Sequence, residues 1–307
     1  TALSCHYSYN YVIEKSKGSN MAPLPEVDPD KGVYIDIPRG AGTETIAKIL
    51  EEKGIIKYPY LFKLLSMVNG YDGKYQSGTH LVSADLEYEE IMRILSSKPI
   101  SVKVTIPEGY NVKQIANALY KSKLISSVEK FYEAVNKEEF NYKFLKDIPK
   151  REFRLEGYLF PDTYEFDIHA GEKEIINKLL SNFNNKFKPE FYERAKALDM
   201  TPDQIIILAS IIEREAKNPE EREIIAGIFY NRLKNKDSSL RKLQSCATIQ
   251  YIYYMRDGII KETITEEDTK VDSPYNTYQI EGLPPGPICN AGEDAILAAL
   301  YPEKTDY

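Results

Sequence analysis

Glu213 is the residue of this chain whose type and position best suit acid–base chemistry. Residues 205–212 are apolar except for one serine, and the charged triplet 213–215 (Glu-Arg-Glu) follows directly. A carboxyl group at the edge of a buried segment loses water, which disfavours its charged form and raises its pKa. A general acid that works near neutral pH needs such a raised pKa. The simpler alternative is that Glu213 only ends a buried helix and pairs with Arg214 or Lys217.

The helix that would position Glu213 begins at Thr201. Thr201 can cap the first free backbone amides, Pro202 suits the first helical position, and Gln204 can complete a capping box. Because almost every residue up to Glu213 is apolar, this helix should be buried. The next segment repeats the same capping pattern and predicts a second helix up to about residue 234. Antiparallel packing of the two helices would hold Glu213 near their junction.

The bulk composition narrows the class of protein. The 307 residues suffice for about two domains, and 42% hydrophobic with 28% charged residues is ordinary for a soluble globular chain. A net charge of -7 argues against a nucleic-acid partner. Neither the three histidines nor Cys5, Cys246 and Cys289 show metal-ligand spacing, so we expect no metal and no cofactor. No apolar run approaches the roughly 20 residues of a membrane-spanning helix.

Four segments follow one another along the chain. Residues 1–32 are predicted to be an arm, since they lack a period and are rich in Gly, Ser and Pro towards their end. Residues 33–100 begin with a strand–helix–helix–strand pattern. Residues 101–150 are predicted to form a second strand–turn–helix unit and a connection. Residues 151–307 contain Glu213 and would form the largest domain, in which helices are predicted over residues 172–186 and 249–255.

The second and third segments share an internal repeat. Residues 33–56 (VYIDIPRGAGTETIAKILEEKGII) align without gaps on residues 102–125 (VKVTIPEGYNVKQIANALYKSKLI). Ile-Pro-x-Gly and Ile-Ala-x-x-Leu recur at identical offsets. This pattern predicts a strand, a Pro-x-Gly turn and a helix that packs back on the strand, used twice. The alternative is that the two segments are similar by chance, because many strand–turn–helix units use the same residue types.

Six motifs together resemble one family, the MltG (YceG-like) endolytic murein transglycosylases. The resemblance spans residues 33–306 and implies an α+β fold, in which a LysM-like βααβ module precedes a mixed α/β catalytic domain with a buried catalytic helix. The motifs are residues 155–164 (LEGYLFPDTY), 209–215 (ASIIERE), 229–233 (FYNRL), 243–245 (LQS), 275–278 (YNTY) and 282–288 (GLPPGPI).

The resemblance implies that Glu213 is the catalytic residue. Lytic transglycosylases cleave the β-1,4 bond between N-acetylmuramic acid (MurNAc) and N-acetylglucosamine (GlcNAc) in peptidoglycan without adding water, and leave 1,6-anhydroMurNAc ends. One carboxyl that switches from acid to base removes the need for the second carboxylate of ordinary glycosidases. The family also implies cell-wall synthases as partners, a role in ending nascent strands, and an extracytoplasmic location. Its members carry an N-terminal membrane helix, which we expect ahead of this chain.

Further site residues are implied by the same resemblance. Glu156 is the best second acidic residue, with a purely structural role as its alternative. Cys246 and Cys289 lie in two motifs that should converge, so they could form a disulfide or remain free thiols. The expected groove residues, which would bind sugar hydroxyl and N-acetyl groups, are Glu156, Tyr158, Asp162, Tyr164, Gln244, Asn276 and Tyr278.

One departure from the family pattern and three rival functions accompany this hypothesis. Family members continue with a Tyr-Leu-Tyr-Phe strand and a glycine- and histidine-bearing tail, so we expect that the C-terminal end is truncated here. The first rival is a hydrolase in which Glu213 acts with Glu156 or Asp162 on water. The second is a non-catalytic peptidoglycan-binding scaffold. The third is a pyridoxal-phosphate lyase, for which no lysine lies in a motif that suggests a Schiff base.

Overall fold

The structure, a computed structural model, describes residues 23–237 and 240–306. Residues 1–22 of the predicted N-terminal arm, with Cys5, lie outside these ranges. Within them the chain divides into two compact units: one takes the described residues up to Val102 with Glu165–His169, and the other takes Lys103–Tyr164 with those from Ala170 onward. In the described ranges, no helix is both long enough and apolar enough to cross a bilayer.

The first unit has the predicted order of strand, two helices and strand. Its two strands pair antiparallel, with Val33 opposite Val82 and Ile37 opposite Gly78. Alternate strand residues and one face of each helix are apolar, and these side chains fill a single core. The elements are β1 (Val33–Ile37), α1 (Thr43–Glu52), α2 (Pro59–Val68), β2 (Gly78–Val82) and α3 (Tyr88–Ser96).

The remaining elements begin with a second strand–turn–helix, as the repeat predicts, and β3 pairs with β4 in a two-stranded sheet. The fold is thus mixed α/β, with eleven α-helices in the described ranges. The elements are β3 (Ser101–Ile106), α4 (Val112–Lys121), α5 (Val128–Lys137), β4 (Asp162–Asp167), α6 (Glu172–Lys186), α7 (Pro189–Ala197), α8 (Pro202–Glu215), α9 (Arg222–Leu233), α10 (Cys246–Asp257) and α11 (Glu293–Leu300).

Helix α8 is the centre of the second unit. Thr201 and Gln204 form the predicted reciprocal capping box, and every residue from Ile205 to Ile212 is buried. Helices α7, α9, α10 and α11 all pack against it. The prediction of a buried helix that ends in charged residues is therefore confirmed.

Two helix starts differ from the sequence prediction. The capping box of Asn218 closes one turn of 3-10 helix, Pro219–Glu221, so α9 begins only at Arg222. Helix α10 begins at Cys246, earlier than the predicted start at residue 249. A tertiary contact accounts for the earlier start, because the Glu215 carboxylate of α8 accepts the N–H of Ala247 in the first turn of α10.

Candidate active site

Glu213 lies in the last turn of α8, and only 8% of its side chain is exposed. The backbone N–H of Gly292 donates to its Oε2 (N···O 3.1 Å), and Arg222 of α9 donates to its Oε1 (3.4 Å). Burial raises the pKa of Glu213, and the charge of Glu108 raises it further, whereas Gly292 and Arg222 act in the opposite direction. The net effect is a carboxyl that keeps its proton to a higher pH than an exposed glutamate.

The turn between β3 and α4 lies directly on Glu213. Gly109 adopts a left-handed backbone (φ +78°), and a Cβ atom there would come within 4.0 Å of Glu213 Cγ and 3.5 Å of Arg214 Cδ. A Cβ atom at Gly292 would overlap the carboxyl group of Glu108. Two glycines thus allow the turn and the segment before α11 to close around Glu213.

The side chain of Asn290 joins motif 155–164 to the turn between β3 and α4. Its Oδ1 accepts the backbone N–H of Leu159 (2.8 Å), and its Nδ2 donates to the Tyr110 carbonyl (2.9 Å) and to Glu156 Oε1 (3.0 Å). The backbone of Asn290 also pairs with the turn, since its carbonyl accepts the N–H of Gly109 (3.0 Å). Because Gly292 is two residues away, these bonds fix the amide that binds Glu213.

Ser210 is the one polar residue in the buried run Ile205–Ile212 of α8. Its hydroxyl donates to the Ile207 carbonyl (2.7 Å) and accepts the N–H of Ile288 (3.0 Å). The thiol of Cys289 donates to the Ser210 carbonyl (3.3 Å). One serine therefore attaches the proline-rich loop 282–288 to the helix that carries Glu213.

Glu156 is buried, with 1% of its surface exposed. Both carboxyl oxygens lie 3.1 Å from the backbone nitrogen of Val112, the first residue of α4, and Oε1 also accepts from Asn290. Burial raises the pKa of Glu156 to about 8, although these hydrogen bonds favour the charged form and act to lower the pKa. Its environment matches the structural alternative, because all its contacts are with the protein interior.

Three more of the expected groove residues also lie in the interior. Tyr158 stacks on Phe144, and its hydroxyl donates to Asp203 (2.6 Å), the partner of the buried Arg151. The other two residues, Tyr164 and Asn276, instead donate hydrogen bonds to backbone carbonyls. Tyr164 donates to the Phe160 carbonyl (2.6 Å), and Asn276 donates to the carbonyls of Thr269 and Val271 (2.9 and 2.7 Å).

The other expected groove residues are more accessible. Asp162 is exposed, and Asn182 of α6 donates to its Oδ2 (2.9 Å). Gln244 is exposed and has a left-handed backbone (φ +52°), which is uncommon for a residue other than glycine. Its N–H donates to the Thr277 carbonyl (3.0 Å), so motif 243–245 pairs with motif 275–278. Such backbone outliers concentrate at functional sites.

Glu215 holds the segment that follows Gln244 close to the end of α8. The Ser245 hydroxyl and the Ala247 N–H both donate to Glu215 Oε1. On the other side, Arg232 of α9 donates to the backbone carbonyl of Leu243. The loop that carries Gln244 is thereby attached two residues beyond Glu213.

The two cysteines of these motifs are separate, free thiols. Cys246 is exposed, and its Sγ lies 3.1 Å from the hydroxyl of the half-buried Tyr278, whereas Cys289 is buried against α8. The disulfide considered from the sequence is not formed in this structure.

A cavity of about 130 Å³ lies beside Gly109 and Arg214, with Tyr251 on its wall.

Residues 35–307 match the model of the YceG-like family. This chain belongs to that family. A protein of Bacillus subtilis named endolytic murein transglycosylase is 33% identical over 94% of this chain and 81% of its own length. A protein of the same name from Streptococcus pneumoniae is 29% identical over 98% of this chain, which spans 57% of that relative. The crystal structure of a YceG-like protein from Listeria monocytogenes is 30% identical, covers 91% of this chain and 92% of its own, and superposes with a TM-score of 0.58.

Sequence reasoning missed Arg222 and Glu108, which lie beside Glu213, and Asn290, which positions the segment that carries the Gly292 amide. Arg222, Asn290 and Glu108 all lie far from it in sequence or on another element. One signal was available for Glu108, because the repeat places it in a turn that the chain uses twice. No local pattern marks Asn290, whose partners are 131 to 180 residues away.

Proposed function

We propose that this protein is an endolytic peptidoglycan lytic transglycosylase that cleaves MurNAc-β-1,4-GlcNAc bonds and leaves 1,6-anhydroMurNAc ends. The proposal rests mainly on the environment of Glu213. Its carboxyl has a raised pKa and is held at the edge of a buried helix by one backbone amide and one guanidinium group. The names of the relatives from Bacillus and Streptococcus agree with this activity. The reaction would act on nascent strands in the cell envelope, beside the synthases.

Glu213 would serve first as acid and then as base. In its protonated form it gives its proton to the glycosidic oxygen as the bond from that oxygen to the anomeric carbon breaks. The resulting carboxylate accepts the proton of the MurNAc 6-hydroxyl, whose oxygen forms the new bond to the anomeric carbon. Glu213 ends the cycle protonated, and no water is consumed. The Gly292 amide and Arg222 would stabilise the intervening carboxylate.

The accessible candidates for substrate binding are Gln244, Tyr278 and Asp162. Gln244 and Tyr278 belong to the paired motifs that Glu215 and Arg232 attach to α8 and α9. Glu156, Tyr158, Tyr164 and Asn276 would act behind this surface, as supports. We further propose that the first unit, with its βααβ order, is a LysM-like module that binds glycan.

The test is product analysis on purified peptidoglycan. Glu213→Gln keeps the shape of the side chain and removes the transferable proton, so we expect activity to fall by about 10²–10⁴-fold. Glu220→Gln, at an exposed position in the next turn, is the matched control and should keep wild-type activity. Mass spectrometry should find 1,6-anhydroMurNAc ends. Full activity of Glu213→Gln would refute the catalytic assignment.

A hydrolase remains the second candidate because a second carboxylate, Glu108, borders Gly292 beside Glu213. Of the partners expected from the sequence, Glu156 has its oxygens occupied in the interior. Hydrolysis would leave reducing ends that are heavier than anhydro ends by one water molecule. The same mass spectra therefore decide between the two reactions. Glycan binding without any released product would instead indicate a scaffold.

A further inference from the structure

The two copies of the internal repeat differ at one position of their shared turn. Gly40 and Gly109 are equivalent, and both adopt a left-handed backbone (φ +73° and +78°). The residue before this glycine is Arg39 in the first copy and Glu108 in the second. A Cβ atom at Gly40 would meet nothing within 4 Å, whereas one at Gly109 would contact Glu213 and Arg214. The chain thus uses the same turn twice, and the second copy brings a carboxylate to Glu213.

Glu108 lies on the solvent-exposed side of the contact between Gly109 and Glu213. Its side chain is exposed, and its carboxyl packs against the Cα of Gly292, the residue whose amide binds Glu213. Among the described residues, Glu108 has no cation within ion-pair distance, so no neighbour neutralises its charge. It therefore differs from Glu156 and Glu215, whose oxygens are occupied by other protein groups.

We propose that Glu108 is a second acidic residue of the active site, whose carboxylate stabilises the positive charge that develops on the sugar ring while Glu213 donates its proton. The inference rests on the proposed glycosidic cleavage. As the bond to the leaving oxygen breaks, positive charge spreads over the anomeric carbon and the ring oxygen. A carboxylate close to that charge favours the charged state over the neutral substrate. Glu108 itself forms no covalent bond in this step.

The same charge acts on the proton of Glu213. A second negative charge beside a carboxyl makes ionisation less favourable, which contributes to the raised pKa of Glu213 after the larger effect of burial. The other charged or titratable groups that face Glu213 are Arg222 of α9 and the Cys289 thiol. Arg214 follows it in α8, and Asp294 of α11 contacts Arg222 at 3.8 Å.

The experiment compares Glu108→Gln and Glu108→Asp with wild type. Rates of product release from purified glycan strands are measured from pH 4 to pH 9. We expect Glu108→Gln to lower kcat/KM by about ten- to a hundredfold and to move the alkaline limb of the pH profile to lower pH by about half a unit to one unit. Glu108→Asp keeps the charge and should keep the limb near its wild-type position. Glu190→Gln, which removes an exposed carboxylate on α7, is the matched control.

Each possible result for the Glu108 variants has one interpretation. An alkaline limb that does not move in Glu108→Gln overturns the proposal, whatever happens to the rate, because a merely structural role would not depend on charge. A moved limb with an unchanged maximal rate overturns the stabilisation of the sugar. Circular dichroism melts show whether each variant is folded. If wild type releases hydrated ends, the proposed transglycosylase function fails, but the comparison of rates and limbs still tests Glu108.

Discussion

The buried carboxyl of Glu156 should make the stability of this protein depend on pH. Its pKa is about 8, compared with 4.5 for an exposed glutamate, because burial disfavours the charge. Below pH 4.5 the group is protonated in both the folded and the unfolded chain. Between pH 4.5 and pH 8 only the unfolded chain releases the proton, so folding stability falls as the pH rises. A shift of this size corresponds to about 5 kcal/mol at the upper end of the range.

Glu156→Gln removes the titrating proton and keeps an oxygen that can accept from Val112 and Asn290. We expect the variant and wild type to be similar at pH 4.5, and the variant to be more stable at pH 8 by several kcal/mol. Urea unfolding followed by circular dichroism at both pH values measures the difference. A variant that is less stable than wild type at pH 8 would refute the reasoning, since it would mean that an ionised Glu156 is stabilised by the N-terminus of α4. Glu156→Ala leaves the donors of Val112 and Asn290 without this acceptor and should be about 2–4 kcal/mol less stable than Glu156→Gln at either pH.

Three further changes test the site around Glu213. Arg222→Met removes the cation that favours the Glu213 carboxylate, so the pKa of Glu213 should rise and the alkaline limb of the activity profile should move to higher pH; a limb at lower pH would contradict this. Asn290→Ala leaves the Leu159 amide and the Tyr110 carbonyl without that side chain, and we expect about 2–4 kcal/mol of lost stability in thermal melts. Gln244→Gly relieves the left-handed backbone and should raise stability by up to about 1 kcal/mol while activity on glycan strands falls; unchanged activity would exclude Gln244 from the groove.

The sequence was most informative where structure is set locally. The capping residues and the apolar run predicted α8, and the predicted helix over residues 172–186 has the same bounds as α6. Both depend on interactions within a few residues. The earlier start of α10 depends on Glu215, more than thirty residues away, and no local pattern contains that contact.

The motifs gave residue types without their orientation. Glu156 and Tyr158 belong to a loop without a hydrophobic period, so nothing in the sequence indicates which side chains point inward. The structure places both in the interior, because the polar atoms of each are matched by buried partners, Val112 and Asp203. Polar residues of a distinctive motif can therefore be supports of a site as well as its lining.

Three glutamates near the site are distinguished by the helix end that each one faces. Glu215 accepts an amide in the first turn of α10, where the helix dipole favours a negative charge. Glu156 also faces a helix N-terminus, that of α4, but its complete burial outweighs the dipole and keeps it protonated. Glu213 lies in the last turn of α8, where the dipole disfavours a carboxylate, and burial acts in the same direction. Glu213 combines a raised pKa with a position that is not fully buried, so it is the one of the three that we expect to give a proton to a ligand outside the protein.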